Sequence, residues 1–166
     1  MAENVRSVAI GEMIVSDNPQ DVLVAFGLGS CAAVWLYDPA KHLGGMVHGL
    51  LPVAPADGAG ESLATPAKYV SRGVPMLINA LAQRGAVRSR LVAGLCGGAR
   101  MITAPGFNDI MNIGERNVQA AEEALKAAGI PLAARATGGA VGRTLKVRIE
   151  TGRATVRSAG GGEQAL

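Results

Sequence analysis

The chain has 166 residues, 49% of them apolar and 17% charged, with a net charge of +3 and a pI near 9.2. That length suits one folded domain with its own core, and that composition excludes a disordered chain. The basic residues are dispersed, no Lys/Arg run occurs and aromatics are only 3%, which excludes a dedicated nucleic-acid binder.

The first half reads as strands. Residues 5–15 hold two short apolar runs around Gly11. After the turn signal Asp17-Asn18-Pro19 come apolar runs over 21–26, 32–37 and 45–51, punctuated by Asp38-Pro39 and Pro52. They are almost continuously apolar, as strands buried on both faces are. A helix is expected over 66–83, with Thr65 as its cap, Pro66 in the first position and Gly85 as its stop, kinked or broken near Gly73 and Pro75. A short strand follows over 90–96. A second helix is expected over 113–128, where Val118, Ala121, Leu125 and Ala128 form one stripe and Gly129 ends it. Leu145, Val147 and Ile149 then alternate with Lys146, Arg148 and Glu150, and Thr151-Gly152 turns into a last strand over 153–157. The order strands, helix, strand, helix, strands predicts an α+β sandwich of mixed strands over residues 1–166, with no linker or repeat. The glycine-rich tail, at about 159–166, is expected to be flexible.

Residues 1–6 show no basic start followed by an apolar run, and no apolar stretch is long enough to cross a bilayer. A cytoplasmic location without membrane insertion is the expectation, and with it reduced thiols at Cys31 and Cys96. Two cysteines and two histidines without CxxC or HxxxH spacing give no reason to expect a metal, and nothing else points to a cofactor.

The stretch that carries chemistry is Gly27-Leu28-Gly29-Ser30-Cys31, followed by Gly44-Gly45-Met46-Val47-His48. It puts a thiol directly after a glycine-rich turn at the end of a buried strand, where the amides of Gly29 and Ser30 are placed to form an oxyanion hole. A thiol needs a base at neutral pH. His48 is the candidate, because a strand out and a strand back bring the ends of a hairpin together. His42 sits instead in the Lys-His loop after Pro39. Spacing alone leaves two readings open: a Cys–His pair, or an inert core cysteine beside a structural histidine. Cys96 reads as a buried small hydrophobe, Asn112 as a helix cap, and Gly138-Gly139 as turn residues.

These segments, with Leu51-Pro52, resemble the CheD family of chemoreceptor glutamine deamidases. The resemblance continues through Gly97-Gly98-Ala99-Arg100-Met101, Asn112-Ile113-Gly114 with Arg116-Asn117, Thr137-Gly138-Gly139 with Gly142-Arg143, and Gly160-Gly161-Gly162-Glu163-Gln164. It implies hydrolysis of glutamine side chains on receptor helices, with Cys31 as nucleophile and His48 as general base. It also implies a layered α/β/β/α sandwich like that of bacterial toxin deamidases, and a CheC-type phosphatase as partner. Arg100 and Arg116 either line the groove for the Glu- and Gln-rich receptor segment or are solvated cations. One position departs from the pattern. The family often has Thr or Ser six residues before the cysteine, and here Ala25 stands there. The backbone carbonyl of Ala25 is the expected substitute for orienting His48. Alternatives are Ser30 or another group, or a protein that works as a non-catalytic binding module.

Overall fold

The computed structural model describes residues 2–58, 64–101 and 112–166. Ten strands form two five-stranded sheets. In chain order the elements are β1 (Asn4–Ser7), β2 (Met13–Ser16), β3 (Asp21–Leu28), β4 (Ala32–Asp38), β5 (Leu43–Gly49), α1 (Val70–Gln83), β6 (Val92–Gly97), α2 (Ile113–Ala127), β7 (Leu132–Thr137), β8 (Arg143–Arg148), β9 (Ala154–Ser158) and β10 (Glu163–Ala165). One sheet runs β1-β3-β8-β9-β10 and the other β2-β5-β4-β6-β7. Pairings are antiparallel except β1 with β3 and β6 with β7.

The α+β sandwich is as expected, but its layering differs. Two apolar cores sandwich the second sheet. Val34, Leu36, Val47 and Leu95 pack against Val74, Leu77 and Leu81 of α1 and Ala121 and Leu125 of α2. Ala33, Trp35, Met46 and Cys96 face the other way, against Leu23, Leu145 and Val147 of the first sheet. Among the described residues both helices therefore lie on one side, giving helices, sheet, sheet. The second sheet is the middle layer, so every residue of β4 and β5 is buried. This is the physical content of their unbroken apolar runs. Trp35, 3% exposed, lies over Gly94 of β6, where a Cβ would stand 1.8 Å from its ring.

Helix α1 starts at Val70, not at Pro66, and Thr65 is not its cap. Tyr69 forms a bridge with Leu51, and the carbonyls of Leu51 and Pro52 accept the amides of Val70 and Ser71. Those two carbonyls do the work of a side-chain cap. The helix runs through Pro75 without a break. Helix α2 keeps its expected start and ends one residue sooner, at Ala127. The tail, expected to be flexible, carries β10: Glu163, Gln164 and Ala165 pair with Arg157, Val156 and Thr155. The glycines before it make the turn that returns the chain to the sheet edge. No helix of the described residues is long and apolar enough to cross a membrane.

Candidate active site

Cys31, His48 and Cys96 share the face of the middle sheet that looks into the sheet–sheet core. The register fixes this. Ala33 of β4 lies opposite His48 of β5 on one side and opposite Cys96 of β6 on the other. Cys31, two residues before Ala33, falls on the same face and belongs to the same core. It is one diagonal step from His48. Diagonal neighbours stand roughly 7–8 Å apart at Cα, within reach of a side chain as long as histidine. Cys31 is 7% exposed, His48 3% and Cys96 0%.

The turn before Cys31 is held from the β6 side by two backbone bonds. The Gly98 amide donates to the Cys31 carbonyl at 2.8 Å and the Ala99 amide to the Gly29 carbonyl at 2.9 Å. Gly97 allows this approach: its φ is 111°, and a Cβ there would lie 2.1 Å from the Cys31 oxygen. From the helix side, Asn117 of α2 donates its side-chain amide to the carbonyls of Ser30 (2.8 Å) and Leu50 (3.0 Å). Sequence reasoning placed Asn117 only at a helix entry and missed this role. A polar residue on the buried stripe of an amphipathic helix was the available signal.

His48 Nδ1 lies 2.9 Å from the carbonyl oxygen of Val8. The carbonyl expected from the sequence in this place was that of Ala25; the one bonded to Nδ1 is that of Val8. Ala25 sits within the β3–β8 ladder opposite Leu145, whereas Val8 lies just past β1, with its amide bonded to the Val24 carbonyl. The chain then turns at Gly11, whose amide donates to the His48 carbonyl, and the His48 amide donates to Glu12. This places the Val8 carbonyl against the ring.

A carbonyl oxygen only accepts, so Nδ1 carries the proton and the neutral ring presents its lone pair at Nε2. Burial pushes the His48 pKa below its ordinary 6.5, against smaller opposing effects of the Val8 bond and the Glu12 charge, so the ring is neutral at pH 7. Nε2 is buried and has no hydrogen-bond partner among the described residues. Burial likewise pushes the Cys31 thiol up, partly offset by its own backbone amide. Both shifts favour the uncharged forms, a thiol at Cys31 and a neutral imidazole at His48.

Arg100 reaches Asn112 Oδ1 at 2.5 Å and Glu115 at 3.8 Å, and its amide donates to the Gly139 carbonyl. Asn112 precedes α2 without a side-chain cap bond. Its side-chain oxygen is engaged by Arg100 instead. Arg116 is exposed on the first turn of α2. Gly138 and Gly139 take positive φ in the turn after β7. Among the described residues no three His, Cys, Asp or Glu side chains gather as a metal would need.

The family model described as CheD chemotactic sensory transduction matches residues 50–158. The chain belongs to the CheD family. CheD relatives match it over almost their whole length. The probable chemoreceptor glutamine deamidase CheD of Symbiobacterium thermophilum is 46% identical over 161 residues, 97% of this chain and 96% of that one. The chemoreceptor glutamine deamidase CheD of Thermotoga maritima is 44% identical over 159 residues, 96% of this chain and 95% of its own.

Proposed function

We propose that this CheD family member hydrolyses glutamine side chains of chemoreceptors to glutamate, with Cys31 as nucleophile and His48 as general base. The observation that carries the reading is the lone pair at His48 Nε2. It is buried, without a partner among the described residues, and on the face that carries the Cys31 thiol.

The chemistry follows from those two groups. Nε2 takes the thiol proton as sulfur attacks the amide carbon of glutamine. The amides of Gly29 and Ser30 are the candidates to receive the oxyanion. The tetrahedral intermediate collapses to a thioester, and the imidazolium gives its proton to the departing ammonia. Water then attacks the thioester, His48 accepts its proton, and glutamate and the Cys31 thiol are restored. The Val8 carbonyl holds the tautomer through both halves, as the third member of a triad does. In this reading a side-chain hydroxyl at position 25 is dispensable.

Relatives named as chemoreceptor glutamine deamidases support the substrate class. Arg100 and Arg116, at the entry of α2, are the cations offered to an acidic receptor helix. A CheC-type phosphatase is the proposed regulatory partner, and the cytoplasm the proposed place of work. Mass spectrometry of a receptor cytoplasmic fragment incubated with the protein tests the reaction. Selected glutamines become glutamate with wild type and stay glutamine with Cys31→Ala. Equal conversion by both sinks the nucleophile assignment. Tight receptor binding without conversion by either makes the protein a binding module.

A further inference from the structure

We infer that Asn117 is a positioning residue for the reaction, the side chain that sets the Cys31 turn against the strand end carrying His48. The inference rests on the proposed roles of Cys31 and His48. Asn117 is 0% exposed, and its Nδ2 donates to two carbonyls from separate segments, that of Ser30 just before β4 and that of Leu50 just after β5. Ser30 immediately precedes Cys31, and Leu50 lies two residues past His48.

The position of these carbonyls explains the need. The β4–β5 ladder ends at the pair Ala32–Gly49. Ser30 and Leu50 lie beyond it, where strand pairing no longer fixes one chain against the other. An amide NH2 group has two hydrogens, one for each carbonyl, and acts as one more rung. Asp offers no donor when ionised, Ser offers one, and Gln carries an extra methylene. The helix that supplies Asn117 is docked closely by Gly114. A Cβ at that residue would lie 2.5 Å from the Ala99 carbonyl oxygen and 2.6 Å from that of Gly98. Those are the residues whose amides hold Gly29 and Cys31. The turn is thus gripped from β6 by two amides and from α2 by Asn117.

Asn117 reaches Ser30 from the helix side of the sheet, whereas the thiol and imidazole occupy the opposite face. It touches no reacting atom. Its influence runs through spacing: Cys31 and His48 are diagonal neighbours in the β4–β5 register, so any slide of the turn changes the path of sulfur toward Nε2. The Asn117 Oδ1 is buried without a partner among the described residues. An unsatisfied acceptor is costly there, so the amide is not simply filling space.

The test combines Asn117→Ala, Asn117→Ser and His48→Gln, using native-state iodoacetamide labelling of Cys31 and receptor-fragment turnover, at temperatures below each variant's melting point. The expected result is a kcat loss of at least about tenfold for Asn117→Ala with KM changed less than about threefold. Asn117→Ser, with one donor left, falls between; it also serves if Asn117→Ala does not fold. The decisive readout is coupling. In wild type His48→Gln slows Cys31 labelling, and in the Asn117 variant the same change has little further effect. If His48→Gln slows labelling equally in both backgrounds, and kcat falls only with the folded fraction, Asn117 is structural and the inference is overturned. If His48→Gln changes neither labelling nor turnover in wild type, the dyad itself fails, and this inference with it.

Discussion

The imidazole of His48 is bonded at Nδ1, at 2.9 Å, to the main-chain carbonyl of Val8, forty residues earlier in the chain. No substitution at Val8 deletes that acceptor. The orienting group is immune to side-chain change, and the bond depends instead on where the β1–β3 pairing and the Gly11 turn put the backbone.

It follows that restoring a hydroxyl at position 25 gains little. Ala25→Thr is expected to raise kcat by less than about tenfold, because Nδ1 is already occupied. Ala25 is fully buried, so the added hydroxyl is expected to cost about 1–2 kcal/mol of stability in chemical denaturation. A hundredfold gain in turnover would show that the Val8 carbonyl does not do the orienting.

Protonation of His48 would remove the proposed base. Burial holds its pKa below 6.5, so the acid limb of the kcat/KM profile is expected below pH 6.5, with a plateau already reached at neutrality. The stability effect has a definite sign. As pH falls through 6.5 the unfolded chain takes up the proton first, so folding stability is lost on the acid side. His48→Gln abolishes that part of the pH dependence, and urea titrations between pH 5 and 8 read it directly.

The two thiols are expected to label differently. Cys96 is 0% exposed and burial raises its pKa to about 11. Iodoacetamide at pH 8–9 should modify Cys31 in the native protein and reach Cys96 only on unfolding. Both thiols have raised pKa values, so stability present below pH 9 is lost as pH rises and the unfolded chain ionises. Cys96→Ala should retain turnover while costing about 1 kcal/mol. Loss of turnover in a well-folded Cys96→Ala would give that residue a chemical role.

Far from the site, Asp38 at the end of β4 is fully buried. It accepts from Arg90 at 2.8 and 3.0 Å and from the amides of Ala40 and Val87. Above all, the Arg90 bonds lower its pKa to about 2. Arg90→Ala should lower stability, because it leaves the Asp38 carboxylate with only the two backbone amides. In wild type this contribution is present above pH 3.8 and lost as pH falls toward 2. An acid-unfolding midpoint that Arg90→Ala leaves unmoved would show that the pair contributes little.

Much of this molecule was legible before its structure. The apolar runs of β4 and β5 and the stripe of α2 stand out because burial on two faces, or on one helical stripe, writes a pattern into side chains. Cys31 and His48 stood out because a hairpin must bring its ends together. Other features were not legible. The strand β7, Leu-Ala-Ala-Arg-Ala-Thr, is built of residues with weak strand preference and exists because β6 offers it a parallel partner. The side of the sandwich that each helix covers is a tertiary matter. The Val8 carbonyl has no side-chain signature at all, since every residue carries a carbonyl and only the chain path selects one.

Trp35 gives the protein a reporter of its own. It is the single tryptophan of the chain, sealed between the sheets in the same core as Cys31, and two positions along β4 from the residue that faces His48. Its emission should lie to the blue while the sheets are closed and move red when water enters between them. Opening of the core beneath the proposed active site can therefore be followed by intrinsic fluorescence in real time, with both thiols left unlabelled.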